Sequence, residues 1–354
     1  MSLKPRIALL SVFVSAGLLV APTAQAVEST TAETTVDGRT VAPRPSTAEL
    51  AFELRKLAAL SHGKIRVDKI GRSNEGRPVW AARVGHGRTR IQYVTQQHGD
   101  EPLGTPAALE FLRKVGIGHS PWARKLRSKV TVDIVVRANP DGHERDWRYN
   151  HDPNATPEYG EKGKGYDINR YHDPAVAPKD NPATEAGLIQ RRNASFKPDI
   201  MVDYHMQGRY RDASGKEITA STLWPTNPGV KPSDVDFAKQ IAVVVQRSID
   251  DNGGYVSQYP GGDYQGIARN GYGLRGSGSV LIELSLIPER EQQQIQDALA
   301  SMLAIARSAA DGSVRKVDPA KADAIPPRGP ALPGLVSGRD GSNRPYHSRA
   351  ISGR

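Results

Sequence analysis

The sequence predicts an α/β layered domain over residues 46–312. Two observations carry this. Stretches with helical apolar spacing alternate with short β-branched runs along the whole segment. One of those runs, Val130–Val136 (VTVDIVV), is apolar enough to read as a buried strand. In chain order, Ser46-Thr47-Ala48-Glu49 forms a capping box, and Leu50, Leu54 and Leu57 follow it at helical spacing. Short β-type segments come next at 64–70, 78–84 and 91–95. Residues 102–115 read as a helix with Leu103, Ala107, Phe111 and Val115 on its apolar side. After the buried strand comes a long loop region, 137–180, rich in Gly, Asn, Asp, Pro and aromatics. Loops of that length in a compact domain are usually functional. A helix at 183–196 and a strand at 199–204 follow. The helix at 232–251 is amphipathic, with Phe237, Ile241, Val244, Val245 and Ile249 facing inward. The stretch 253–279 is Gly- and Tyr-rich and irregular; a buried strand at 280–286 and a closing helix at 289–310 complete the domain. Polar residues that follow buried strands tend to line a crevice at one sheet edge.

The chain has 354 residues, 38% of them hydrophobic and 24% charged, with no cysteine. Disulfide scaffolds, thiol nucleophiles, iron–sulfur clusters and cysteine zinc sites are excluded. The apolar content is too high for a wholly disordered chain. The net charge of +10 is unevenly placed: residues 313–354 carry eight Lys/Arg against three Asp, half of the excess. The body is only mildly basic, and without a basic helix or an aromatic–basic strand motif no nucleic-acid partner is expected. Residues 1–26 read as a secretory signal: Lys4 and Arg6 precede a mostly apolar run at 7–20, and Ala24-Gln25-Ala26 is a small-x-small cleavage pattern, so the cut falls after Ala26. That run is shorter than the roughly 20 residues a membrane span needs, and no other run is long enough. The expected location is therefore secreted or extracytoplasmic. Residues 27–45 read as a flexible segment. Residues 313–354, with six prolines and scattered Gly and Arg, read as a disordered tail whose charge could make weak contact with an anionic surface.

Nine histidines leave few options for a metal site. His98 and Glu101 flank Gly99-Asp100 on the turn between the 91–95 strand and the next helix, and His205 ends another apolar strand. Two imidazoles and one carboxylate make the ligand set of a hydrolytic zinc site with one open position. The compact HExxH pattern is absent, since His143-Glu144 is followed by Arg145-Asp146-Trp147. Glu283 stands in an otherwise apolar strand, Val280-Leu281-Ile282-Glu283-Leu284. A buried carboxylate is costly unless paired or working, so Glu283 reads either as the partner of a buried arginine or as a general base. Arg148 with Asn150, and Asn169 with Arg170, lie in the long loop, where a guanidinium beside an amide suits a substrate carboxylate.

His98-x-x-Glu101, Asn139-Pro140-Asp141-Gly142, Trp147-Arg148, Asp167-x-Asn169-Arg170, Asp203-x-His205 and Ile282-Glu283-Leu284 come in the order seen in zinc carboxypeptidases of the A/B type, and the chain resembles that family from about 46 to 310. The resemblance implies a single α/β domain with a mixed, mostly parallel, twisted sheet flanked by helices. It implies one zinc ion held by His98, Glu101 and His205, Arg148 as the group steadying the oxyanion, Asn169 and Arg170 as the clamp on a free C-terminal carboxylate, and Glu283 as general base. Asp167 would orient a ligand histidine. The family's mobile tyrosine corresponds to Tyr264 or Tyr259. Asp263 in the pocket would favour basic C-terminal residues and Arg269 acidic ones. The implied activity is that of a secreted metallocarboxypeptidase: a zinc-activated water cleaves the last peptide bond of a peptide or protein with a free C-terminus. The alternatives are a cell-wall peptide amidase or γ-glutamyl endopeptidase on the same scaffold, and a secreted binding protein with a dead site.

Overall fold

The computed structural model describes residues 44–332, together with the backbone of two short paired strands, Thr34–Val36 and Arg39–Val41. The signal sequence expected at 1–26, most of the segment expected at 27–45, and residues 333–354 lie outside the described residues.

The main sheet has eight strands. They are β1 (Ile65–Arg72), β2 (Pro78–Gly85), β3 (Thr89–Thr95), β4 (Val130–Val136), β5 (Ile200–Gln207), β6 (Ala220–Leu223), β7 (Val256–Gln258) and β8 (Gly278–Ser285). Their spatial order is β7-β6-β8-β5-β3-β4-β2-β1. The centre, β8-β5-β3-β4, is parallel, as is the edge pair β6-β7; β6-β8, β4-β2 and β2-β1 are antiparallel. The expected mixed sheet is therefore observed. From β3 the chain crosses to β4 on one side, and β5 then lies on the other. Such a reversal opens a crevice beyond the carboxyl ends of the two neighbouring strands. That crevice is where His98, just after β3, and His205, near the end of β5, come together.

Among the described residues eight α-helices flank the sheet: α1 (Thr47–Leu60), α2 (Gly104–Leu112), α3 (Pro121–Lys129), α4 (Pro140–Arg145), α5 (Thr184–Phe196), α6 (Pro232–Asp250), α7 (Ala268–Gly273) and α8 (Glu291–Asp311). The pleat of β4 divides its apolar residues between two cores. Val130, Val132, Ile134 and Val136 join the larger one, with Leu54 of α1, Phe111 of α2, Leu126 of α3, Ile241 of α6 and Met302 of α8. Val135 joins the smaller one, with Ile189 of α5 and Tyr272 of α7. The capping box of α1 forms as expected: Ser46 Oγ accepts from Glu49 N, and Ser46 N donates to Glu49 Oε2 at 2.7 Å.

The structure adds elements to stretches read as irregular. Within 137–180 it forms α4, started by Asn139 and Pro140. Within 253–279 it forms β7 and α7. The glycines of α7 lower its intrinsic helix propensity, and tertiary contact offsets this: Tyr272 is fully buried, and Ala268 N donates to Asn169 Oδ1 at 2.8 Å. The reading of 313–354 as a disordered tail is corrected for its described part, 313–332. Val314, Ala322 and Ile325 are buried in the larger core. Gln240 and Gln258 side chains bond the carbonyls of Val317 and Ile325. A proline-rich segment has too few apolar residues for a core of its own, but three suffice when the groove beside α6 and the open edge of β7 already exist.

The loop 150–166 is pinned to α5 by a buried pair. Asn150 Nδ2 donates to Glu185 Oε2 at 2.7 Å, and Asn150 Oδ1 accepts from Tyr166 N. Glu185 is fully buried, its Oε1 lacks a partner among the described residues, and burial raises its pKa from 4.5 to about 7. An acid raised on folding imposes no penalty below its unfolded pKa, a growing one between the two values, and the whole of it above the folded one. Glu185→Gln, which keeps the acceptor for Asn150, should therefore stabilise the fold by about 3 kcal/mol at pH 8 and leave it nearly unchanged at pH 4. Thermal melts at both pH values test this; an equal gain at both would show that the charge is not the cause.

Candidate metal centre and active site

The site grows from the turns after β3 and β4. Gln96 and Arg137, the residues immediately after these strands, both take positive φ (57° and 56°). The two turns are tied by Asn139 N donating to Gln96 O. Gly99 is required by close approach rather than by a left-handed turn: a Cβ there would lie 2.0 Å from Gly142 C and 2.3 Å from His143 N. Asn139 caps α4 through Gly142 N, and its Nδ2 reaches Gln97 O at 3.1 Å and Tyr149 O at 2.9 Å. The Asn139-Pro140-Asp141-Gly142 motif thus fastens the chain bearing Arg148 to the turn bearing His98.

His98, Glu101 and His205 converge, with their donor atoms all within 4.8 Å of one another. His98 Nδ1 lies 2.7 Å from Glu101 Oε1 and 3.0 Å from His205 Nδ1, which is 2.8 Å from Glu101 Oε2. The far nitrogens face carboxylates: His98 Nε2 meets Asp167 Oδ1 at 3.0 Å and His205 Nε2 meets Asp203 Oδ2 at 2.7 Å. Carboxylates there hold the proton on Nε2 and aim the Nδ1 lone pairs at the common point. Two such lone pairs at 3.0 Å repel each other unless a cation sits between them, so the donor set fits a divalent ion of the zinc class. Burial opposes charge on His205, but Asp203 and Glu101 outweigh it and raise its pKa well above the usual imidazole value. A metal ion would displace that proton.

Behind His205 a buried chain continues. Gln97 Nε2 donates to Asp203 Oδ2 at 2.6 Å, and Gln97 Oε1 meets His172 Nε2 at 2.6 Å. His172 Nδ1 meets Tyr272 OH at 2.9 Å, and burial lowers the His172 pKa to about 3, so the ring is neutral and accepts from the phenol. Sequence reasoning gave Gln97, His172 and Tyr272 no role. They are isolated polar residues whose relation exists only once β3, the long loop and α7 are packed.

Glu283 lies directly opposite His205 in the β8–β5 register, with Ser221 of β6 on its other side. It is 7% exposed, and its Oε2 has no hydrogen-bond partner among the described residues. Burial raises its pKa to about 7. No ion pair to a buried arginine is present among the described residues. Arg148 donates Nε and Nη2 to Asp167 Oδ2 at 3.1 and 2.9 Å, while its Nη1 lies 3.1 Å from His98 Nδ1. Asn169 Nδ2 lies 3.1 Å from His205 Nε2, and Arg170 Nη1 donates to Asn169 O.

The two tyrosine candidates separate. Burial raises the Tyr259 pKa to about 12, with Glu283 acting in the same direction and Arg328, Arg170 and Arg148 opposing, so its hydroxyl feels the site. Tyr264 instead packs on Tyr159 with ring centroids 4.7 Å apart. Arg269 is buried and donates to Trp224 O, while Asp263 is exposed.

A three-donor cluster, a buried carboxylate and a guanidinium thus face one crevice of an α/β sheet. Residues 52–197 match the zinc carboxypeptidase family model. Human carboxypeptidase D is 28% identical over 27% of this chain and 9% of its own length, and the Anas platyrhynchos protein of that name is 30% identical over 28% and 10%. The chain thus spans about a tenth of the curated relatives it matches. In structure it is similar to carboxypeptidase A from Helicoverpa armigera (TM-score 0.60, 20% identity, 76% of this chain and 74% of that one). It is also similar to a metallo-carboxypeptidase from Burkholderia cenocepacia (TM-score 0.57, 17% identity, 77% and 76%). These structural likenesses show the fold. The matched segment ends before His205 and Glu283; the register of β5 with β3 and β8 joins them to it.

Proposed function

We propose that this chain is a zinc metallocarboxypeptidase that removes the last residue from peptides or proteins with a free C-terminus. The observation that carries the proposal is Glu283: a buried carboxylate without a hydrogen-bond partner among the described residues, opposite His205 in the register and beside the three-donor cluster. His98, Glu101 and His205 would hold one zinc ion; bound there, it supplies Lewis acidity toward a carbonyl oxygen and acidifies a water. Glu283 takes the proton of the attacking water and returns it to the leaving amine. Arg148 keeps two nitrogens on Asp167 and directs the third at the developing oxyanion. Arg170 and Asn169 hold the substrate's terminal carboxylate. Because His205 Nε2 carries the proton facing Asp203, it has no lone pair for the Asn169 amide, whose N–H groups stay available to a ligand. Tyr259 supports the lid role better than Tyr264, since its neighbours are the site residues. Export rests on the pattern at 1–26, and among the described residues no helix is long and apolar enough to cross a membrane.

The test is a mass-spectrometric product profile from a mixed peptide library. The expected result is stepwise loss of single C-terminal residues, abolished by chelator and restored by zinc. Cleavage confined to cell-wall peptides would move the assignment to the amidase or γ-glutamyl endopeptidase class, and a protein that binds no zinc would end it.

A further inference from the structure

The C-terminal segment does more than cover a sheet edge. Gln258 N donates to Pro326 O at 2.8 Å, and Arg328 N to Gln258 O at 3.0 Å, so the segment extends the sheet beyond β7. One residue further on it joins the chain after β5: Gly329 N donates to Arg211 O and Leu332 N to Arg209 O, both at 2.9 Å. A Cβ on Gly329 would lie 2.4 Å from Arg211 O, so this crossing needs glycine. Arg328 is held between the two attachments. Its guanidinium carbon lies 3.9 Å from the Tyr210 ring centroid and 4.5 Å from that of Tyr259. Its Nη1 donates to Gln207 Oε1 at 2.9 Å, and Gln207 is itself fixed by donating to Ser221 and Ser285. Among the described residues no carboxylate pairs with Arg328, and its charge reaches Glu283. A guanidinium stacked on rings, with one edge unused, is preorganised for a carboxylate.

The strand direction gives its place along a substrate. Asp203, His205 and Gln207 share one face of β5. Asn169 meets His205 at the nitrogen that faces Asp203, and Arg328 meets Gln207, two residues the other way. A peptide with its terminal carboxylate at Arg170 and its scissile carbonyl level with Glu283 therefore runs outward toward Arg328. We propose that Arg328 is a specificity residue that binds an acidic side chain on the amino-terminal side of the scissile bond. The direction assigned to the peptide rests on the carboxypeptidase reading above.

The test uses zinc-loaded Glu283→Gln protein, which retains peptides without turnover, and affinity selection from peptides that share random C-terminal residues and carry Glu, Gln or Lys at the penultimate position. Glu peptides should be retained at least about 10-fold over Gln peptides, with Lys peptides the poorest, a range ordinary for a charge-assisted pair. Adding Arg328→Gln should erase the ranking, and Arg328→Lys should restore part of it. Equal retention of the three sets, or retention of none, overturns the proposal. Glu-selective retention by a protein whose wild type releases no residue would leave the Arg328 site standing and remove the carboxypeptidase reading instead.

Discussion

Glu283→Gln should lower kcat by about two to four orders of magnitude, the range associated with a positioned general base. Zinc content and thermal stability should hold. The amide is nearly isosteric with the carboxyl, so the wall formed by Ser221 and His205 is not disturbed. It cannot take a proton and carries no charge. Stability argues in the same direction. Burial raises the Glu283 pKa to about 7, so above neutrality the folded protein bears an ionised group that the unfolded chain would hold more comfortably. The glutamine variant is then at least as stable at pH 8 as the parent. Turnover with the best library peptide, metal content and a thermal melt together decide the matter. A variant that keeps its zinc and its activity would show that the proton goes elsewhere. One that loses zinc would show that Glu283 helps to hold the ion.

Much of this site was legible because its parts are local. His98 and Glu101 sit on one turn, His205 near one strand end, and Glu283 interrupts one apolar strand; each breaks a pattern that burial imposes on its neighbours. The strands at the centre were legible for the same reason: β4 is a β-branched run that little else could accommodate. What escaped has a common cause. Arg328 lies in a proline-rich stretch whose composition argues for disorder, and it is ordered because β7 offers an open edge and the larger core takes in Ile325. The choice between Tyr259 and Tyr264 depends on where the chain after β7 turns, and the glycines there leave no periodic signal. Ala220–Leu223 is a four-residue strand, too short to show alternation, yet its Ser221 forms one wall of the Glu283 site. Local sequence reports what a residue resists; only the packed sheet reports what it faces.

Arg148→Lys should cost about 10²- to 10³-fold in kcat, the loss typical of one oxyanion donor, with a smaller change in KM. The substitution preserves charge, so a purely electrostatic role would survive it. The geometry argues that it will not. Arg148 engages Asp167 Oδ2 with two nitrogens and presents the third 3.1 Å from His98 Nδ1. A single ammonium must choose between these positions. If it follows Asp167, the oxyanion loses its donor; if it turns to the site, Asp167 loses its ion pair but still meets His98 Nε2. Either way the His98 anchor persists, so zinc affinity should change far less than kcat. Competition with a chromophoric chelator separates the two. A large fall in zinc affinity with kcat intact at saturating metal would assign Arg148 to holding the metal ligands, and the oxyanion would then need another donor.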